Sequence, residues 1–176
     1  GIITAGGSAS NVIPDYSAAK FTVRAKTRNY LLKMLDDLRR AASAAAALTG
    51  AEVKTSIDLL YAERYSNLTM GEAFKANLET LGEMMYYPAP NEPMGSSDIG
   101  NVSLEVPTIH EYLAIAPETI NAHSAEFCQA SVSDRGNQVV LLAAKGLAMT
   151  GWDVLTDDRL REQIYTEFNS KSLLND

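Results

Sequence analysis

The groups in this sequence with chemistry to offer are few: two histidines, one cysteine and two small sets of polar residues. A zinc site takes three or four nitrogen, sulfur or oxygen ligands held close in space. His123 lies in Asn121-Ala122-His123-Ser124-Ala125-Glu126, just ahead of a predicted helix, and His110 follows Pro107-Thr108-Ile109 in an apolar run. Neither has a Cys or His companion at metal-site spacing, and a lone histidine beside an apolar run more often serves structure than ligation. Cys128 follows Phe127 on a predicted helix face. No adjacent basic residue would lower its pKa, so it reads as a buried, inert thiol. A nucleophilic pair with His123 would span more than one helical turn, which is poor geometry.

The densest small-polar stretch is Gly95-Ser96-Ser97-Asp98-Ile99-Gly100-Asn101. Its glycines let a backbone approach a ligand, and its amides and hydroxyls suit an anion; a capped turn would use the same residues. Asn11 and Arg24 form a second pair, Asn11 at a turn and Arg24 on the polar face of the strand that follows. A guanidinium fork matches a carboxylate in bidentate fashion, although a solvated sheet face accounts for the pair equally well.

The elements that must position these residues follow from periodicity. Gly1-Ile2-Ile3-Thr4-Ala5 reads as a strand, Gly6-Gly7-Ser8 and Pro14-Asp15 as turns. Residues 18–26 alternate, with Ala19, Phe21, Val23 and Ala25 opposite Lys20, Thr22, Arg24 and Lys26, which predicts a half-buried strand. Thr27 caps the next helix and Gly50 closes it; Leu31, Met34, Leu35, Leu38, Ala41, Ala42, Ala45 and Leu48 form one apolar stripe along it. Val53, Ile57, Leu59 and Tyr61 predict a third strand, giving a β-β-α-β segment. Thr69-Met70-Gly71-Glu72 is a capping-box pattern that opens a helix closed by Gly82. A proline-rich loop covers residues 84–97, and residues 102–106 and 109–115 read as buried strands. Helices are predicted over 134–150, closed by Gly151, and over 156–168, with a frayed tail from 169. The change of character near residue 66 predicts a domain boundary, residues 1–66 against 67–176.

Composition bounds the function. The chain has 176 residues with 46% hydrophobic and 21% charged, an ordinary globular balance that excludes general disorder. Fifteen Lys and Arg against 22 Asp and Glu leave a net charge of −7 with no basic run, which argues against nucleic acid and anionic membrane surfaces. The apolar stretches 41–48 and 139–144 are shorter than the roughly 20 residues that span a bilayer. A single cysteine cannot close an intrachain disulfide, and the first residues lack the pattern of a signal peptide, so the expected compartment is cytoplasmic.

Taken together, five segments resemble a known family. The run Gly1-Ile2-Ile3-Thr4-Ala5-Gly6-Gly7-Ser8-Ala9-Ser10-Asn11-Val12-Ile13-Pro14-Asp15, continued to Val23-Arg24, is similar to the zinc aminoacylase and carboxypeptidase family. Closer still is its amidohydrolase branch, with aminobenzoyl-glutamate hydrolase, the indole-acetyl amino acid hydrolases and a β-alanyl-lysine type dipeptidase. Gly95 to Ser103, then Val106-Pro107-Thr108-Ile109-His110, His123-Ser124 and Ala143-Ala144-Lys145-Gly146-Leu147-Ala148-Met149-Thr150 resemble that branch in order and spacing.

The resemblance implies an α/β (α+β) fold. Residues 1–66 would be the second half of a ferredoxin-like lid that often dimerises, and residues 67–176 the C-terminal part of an α/β zinc-hydrolase domain. It implies that His123 is the last metal ligand of a site for two divalent ions, zinc or manganese. Asn11 and Arg24 would bind the substrate carboxylate, and Gly95, Ser96, Ser97 and Asp98 would line the active site. The substrate would be an N-acyl amino acid or a dipeptide. In family members the other ligands and the glutamate general base lie upstream of residue 1. On that plan these residues hold no catalytic base, bind no metal alone and do not hydrolyse a substrate alone. A non-catalytic dimerisation or binding module is the competing expectation.

Overall fold

The structure, a computed structural model, describes residues 1–88 and 95–172. They divide into two compact units, Gly1–Glu63 and the unit that starts at Arg64. Mixed α and β content is present, with helix predominating and a single two-stranded sheet among the described residues.

In the first unit, β1 (Ile2–Ala5) pairs antiparallel with β2 (Ala18–Lys20), Ile2 facing Lys20 and Ile3 facing Ala19, with an irregularity before Ala5. The alternating pattern predicted a strand through residue 26, yet pairing stops at Lys20 because β1 offers only four residues to pair with. Helix α1 (Arg28–Thr49) has the ends its local chemistry dictates. Thr27 Oγ1 accepts from the Tyr30 amide, and Gly50 at φ 72° takes the left-handed conformation that L side chains resist. The carboxylate of Glu63 also accepts from the Arg28 amide at 2.7 Å, so a second acceptor serves the first turn. The expected third strand is absent: residues 51–61 carry no strand, and the order is β-β-α. The α1 stripe is not fully buried at any position; Leu31, Met34 and Leu35 are half-buried and Leu48 is exposed.

The second unit is helical. Helix α2 (Leu68–Thr80) packs on α5 (Asp134–Thr156) and α6 (Asp158–Ser172), and Phe74 and Leu78 of α2, Val139 of α5 and Ile164 of α6 are buried. The cap of α2 is Asn67, two residues before the predicted Thr69. Asn67 Oδ1 accepts from the Met70 amide while its Nδ2 donates to the Ile164 carbonyl, both at 2.9 Å. Glu167 completes the end, accepting from the Leu68 and Thr69 amides and the Thr69 hydroxyl at 2.7–2.8 Å. A carboxylate at a helix N-terminus also meets the positive end of the helix dipole. Gly82 at φ 81° closes α2: its amide bonds the Glu79 carbonyl and the Glu83 amide bonds Leu78, the paired pattern of a Schellman stop.

Glycines set how closely α5 approaches its neighbours. A Cβ on Gly146 would stand 2.9 Å from Leu78 Cδ2 and 3.0 Å from Phe74 Cε2; on Gly136 it would meet the Ser131 and Ala130 carbonyls. Gly151 does not end the helix, which runs on to Thr156; Asp157 alone separates it from α6. By length and composition α5 could cross a bilayer, contrary to the sequence expectation. Most of α5 is exposed in the unit, with Gly136, Val139, Gly146 and Thr150 buried. Its Asp153 holds the Asn77 amide at 2.7 Å.

Candidate metal and substrate site

Two of the predicted positioning strands have other structures. Residues 102–105 fall in a short helix, α3 (Ile99–Glu105), which Val106 follows, so the polar stretch ahead of it is a helix entry and not a strand approach. Gly95, Ser96 and Asp98 are exposed and Ser97 is half-buried. Asp98 is the residue before α3 but gives it no side-chain hydrogen bond, and a Cβ on Gly95 would meet only open space. What holds α3 is Ser103, buried in the turn: it accepts from the Tyr65 amide at 3.0 Å and donates to the Gly100 carbonyl at 2.7 Å. Of the predicted proline-rich loop, Pro90 and Pro93 lie outside the described residues.

Residues 109–115 carry no strand, where a buried one was expected. His110 sits in this segment, half-buried, and its Nδ1 lies 3.0 Å from Arg64 Nη1. A guanidinium only donates, so Nδ1 accepts and the neutral ring carries its proton on Nε2. Tyr112 is tilted against the imidazole at 5.1 Å, with the Arg64 guanidinium 5.8 Å from the phenol ring centre. This cluster was missed in sequence because Arg64 is 46 positions from its partner.

His123 is exposed and has φ 66°. Among the described residues it is the one non-glycine in the left-handed region, a conformation that costs energy and clusters at functional positions. It immediately precedes Ser124, whose hydroxyl accepts from the Phe127 amide to open α4 (Ala125–Ser131). Cys128 on α4 is exposed, which corrects the expected buried thiol; α4 is two turns long and buries none of its residues. Among the described residues no three His, Cys, Asp or Glu side chains stand together as a metal set. His123 thus offers one imidazole.

Asn11 and Arg24 belong to the first unit. Asn11 is exposed in the turn closed by the Val12 amide on the Ala9 carbonyl, and Arg24 is exposed beyond the end of β2. At the entrance to α5, Arg135 and Glu83 form a two-pronged ion pair, Nη1 to Oε2 at 3.0 Å, while Arg135 Nε donates to the Ala114 carbonyl. The hydrogen bonds from Arg135 hold the Glu83 carboxyl below the usual carboxylate range, and those to Glu83 raise the guanidinium further.

No protein-family model matches the chain. It is similar to the Xaa-Arg dipeptidases of Mus musculus and Homo sapiens, 36% identical to each over 97% of its own residues. The chain spans 40% of the length of each of these relatives.

Proposed function

We propose that these residues are the C-terminal part of a metal-dependent peptidase of the amidohydrolase branch, which cleaves the amide bond of a dipeptide or an N-acyl amino acid. The observation that carries this reading is collinear similarity, 36% identity over 97% of the chain, to proteins named for dipeptide hydrolysis. A dipeptide ending in arginine is accordingly the first substrate to try.

In this reading His123 supplies one imidazole to a centre for two divalent ions, zinc or manganese, whose other ligands and general base come from chain beyond these residues. Its left-handed backbone supports the role, because a strained conformation persists where the position of the side chain matters. Asn11 and Arg24 hold the substrate carboxylate from a lid that pairs with a second copy, and Gly95 to Asp98 line the site. The protein acts in the cytoplasm. A non-catalytic module is favoured for these residues in isolation by the absence of a three-ligand set among those described.

The test is release of free arginine from an Xaa-Arg dipeptide by the longer protein containing these residues. Release that stops with a chelator and returns with zinc or manganese is expected. No release from any dipeptide or N-acyl amino acid, with the ions supplied, would favour the module.

A further inference from the structure

Two tripeptides of the sequence, Asn67-Leu68-Thr69 and Asn101-Val102-Ser103, have the Asn-X-Ser/Thr pattern of an N-glycosylation acceptor. Such acceptors belong on surface loops, because the attached sugar is bulky and solvated. Asn101 is exposed on α3. Asn67 is not: it is 3% exposed, and its four polar groups are all engaged at 2.9 Å. Its amide donates to the Thr108 carbonyl and its carbonyl accepts from the Gly71 amide. Its Oδ1 accepts from the Met70 amide, and Nδ2, the atom that would carry the sugar, donates to the Ile164 carbonyl.

Nδ2 thus meets α6 at a residue that is itself 1% exposed, which leaves no room for a sugar. Turning the Asn67 side chain out to water would remove the cap of α2 and its tie to α6 together. The order of synthesis nevertheless leaves Asn67 open for a time. Its partner on α6 lies 97 residues further along the chain, and the Glu167 that holds Thr69 lies 98 further. At roughly 5–20 residues per second of synthesis, Nδ2 waits about 5–20 s for its acceptor. Ser103 of the second tripeptide has its partners, Tyr65 and Gly100, already made when it emerges.

We propose that Asn67 is an N-glycosylation acceptor of the unfolded chain whose modification and whose fold exclude each other, so that this structure forms only where no oligosaccharide transferase acts on the chain. The reaction joins Nδ2 to the anomeric carbon of a lipid-linked oligosaccharide diphosphate. That carbon's bond to the phosphate oxygen breaks, the diphosphate leaves, and Nδ2 gives up one proton. The nitrogen then carries a hydrated oligosaccharide at the point where α6 must close on the start of α2. Asn101 modified in the same way would project its sugar to water. The exclusion holds whether or not the protein hydrolyses peptides.

The experiment expresses the longer protein containing these residues in human cells, once in the cytosol and once behind a secretory signal peptide. Peptide mass spectrometry reads sugar occupancy at Asn67, and protease resistance reads the folded fraction. Thr69→Ala destroys the acceptor pattern but keeps the Asn67 cap; Thr69→Ser changes the same residue and keeps the pattern. By the secretory route, the parent and Thr69→Ser should carry sugar at Asn67 in protease-sensitive material, and Thr69→Ala should raise the protease-resistant yield at least tenfold. In the cytosol all three should give equal resistant yields, which shows that the substitutions themselves do not decide folding. Protease-resistant parent with sugar on Asn67 would overturn the proposal, because the fold would then accommodate the modification. Resistant secretory parent with Asn67 unmodified would overturn it too, because folding would then outrun the transfer. So would a Thr69→Ala yield no higher than that of the parent, or rescue by Thr69→Ser with Asn67 still modified.

Discussion

At the scale of single residues, the polar groups whose partners lie nearby in sequence were readable and those with distant partners were not. Thr27 and Gly50 announce the ends of α1 because caps are decided within four residues of chain. Arg64 on His110 could not be foreseen from either residue. Cys128 misled for a related reason: burial depends on what packs over a helix, and nothing beside Phe127 in the sequence says that α4 is short and open. For the substrate pair, the proposed carboxylate contact sets the prediction. In the longer protein Arg24→Ala should raise KM for a dipeptide by roughly tenfold or more, the worth of a charge-assisted hydrogen bond, and leave KM for its C-terminal amide almost unchanged. Parallel kinetics on the two substrates measure this, and equal effects on both would remove Arg24 from substrate binding.

At the scale of elements, helices with local stop and start chemistry were legible, and of the strands only β1 and the start of β2. A strand is completed by a partner remote in sequence, so Val53, Ile57, Leu59 and Tyr61 alternate without forming one, and residues 109–115 form none either. Residues 102–106 mislead because Val102 and Val106 suit a strand, while Ser103 buried on Tyr65 and Gly100 secures a helical turn instead. Gly151 marks no stop because α5 can carry it without a left-handed residue. The start of α2 is the element whose energetics are most exposed to test. Asn67→Ala removes a buried cap and its bond to Ile164 together, and should cost about 2 kcal/mol in urea denaturation of the chain.

The Glu83–Arg135 pair links the residues after α2 to the start of α5, and Arg135 also reaches the Ala114 carbonyl. Because the folded carboxyl titrates below its ordinary value, its contribution is complete above about pH 5 and is lost as the pH falls through the folded value. Arg135 is partly open to water, which limits that contribution to about 1 kcal/mol. Glu83→Gln should therefore be less stable than the parent at pH 7, and the gap should close toward pH 3. Unfolding curves at the two pH values check it; a gap independent of pH would mean that the ion pair contributes no pH-linked stability.

At the scale of the molecule, the sequence indicated two regions of different character, and the structure divides into two compact units at Glu63–Arg64. The lid and catalytic identities proposed for them come from resemblance, and metal binding is where that reading is most open to contradiction. His123→Ala in the longer protein, assayed together for bound zinc or manganese and for release of arginine from an Xaa-Arg dipeptide, tests it most directly. Loss of a direct ligand should exceed the 10- to roughly 100-fold that outer-shell changes cost, in metal affinity and turnover alike, with the helical content unchanged. Parent levels of metal and turnover in that variant would contradict the account.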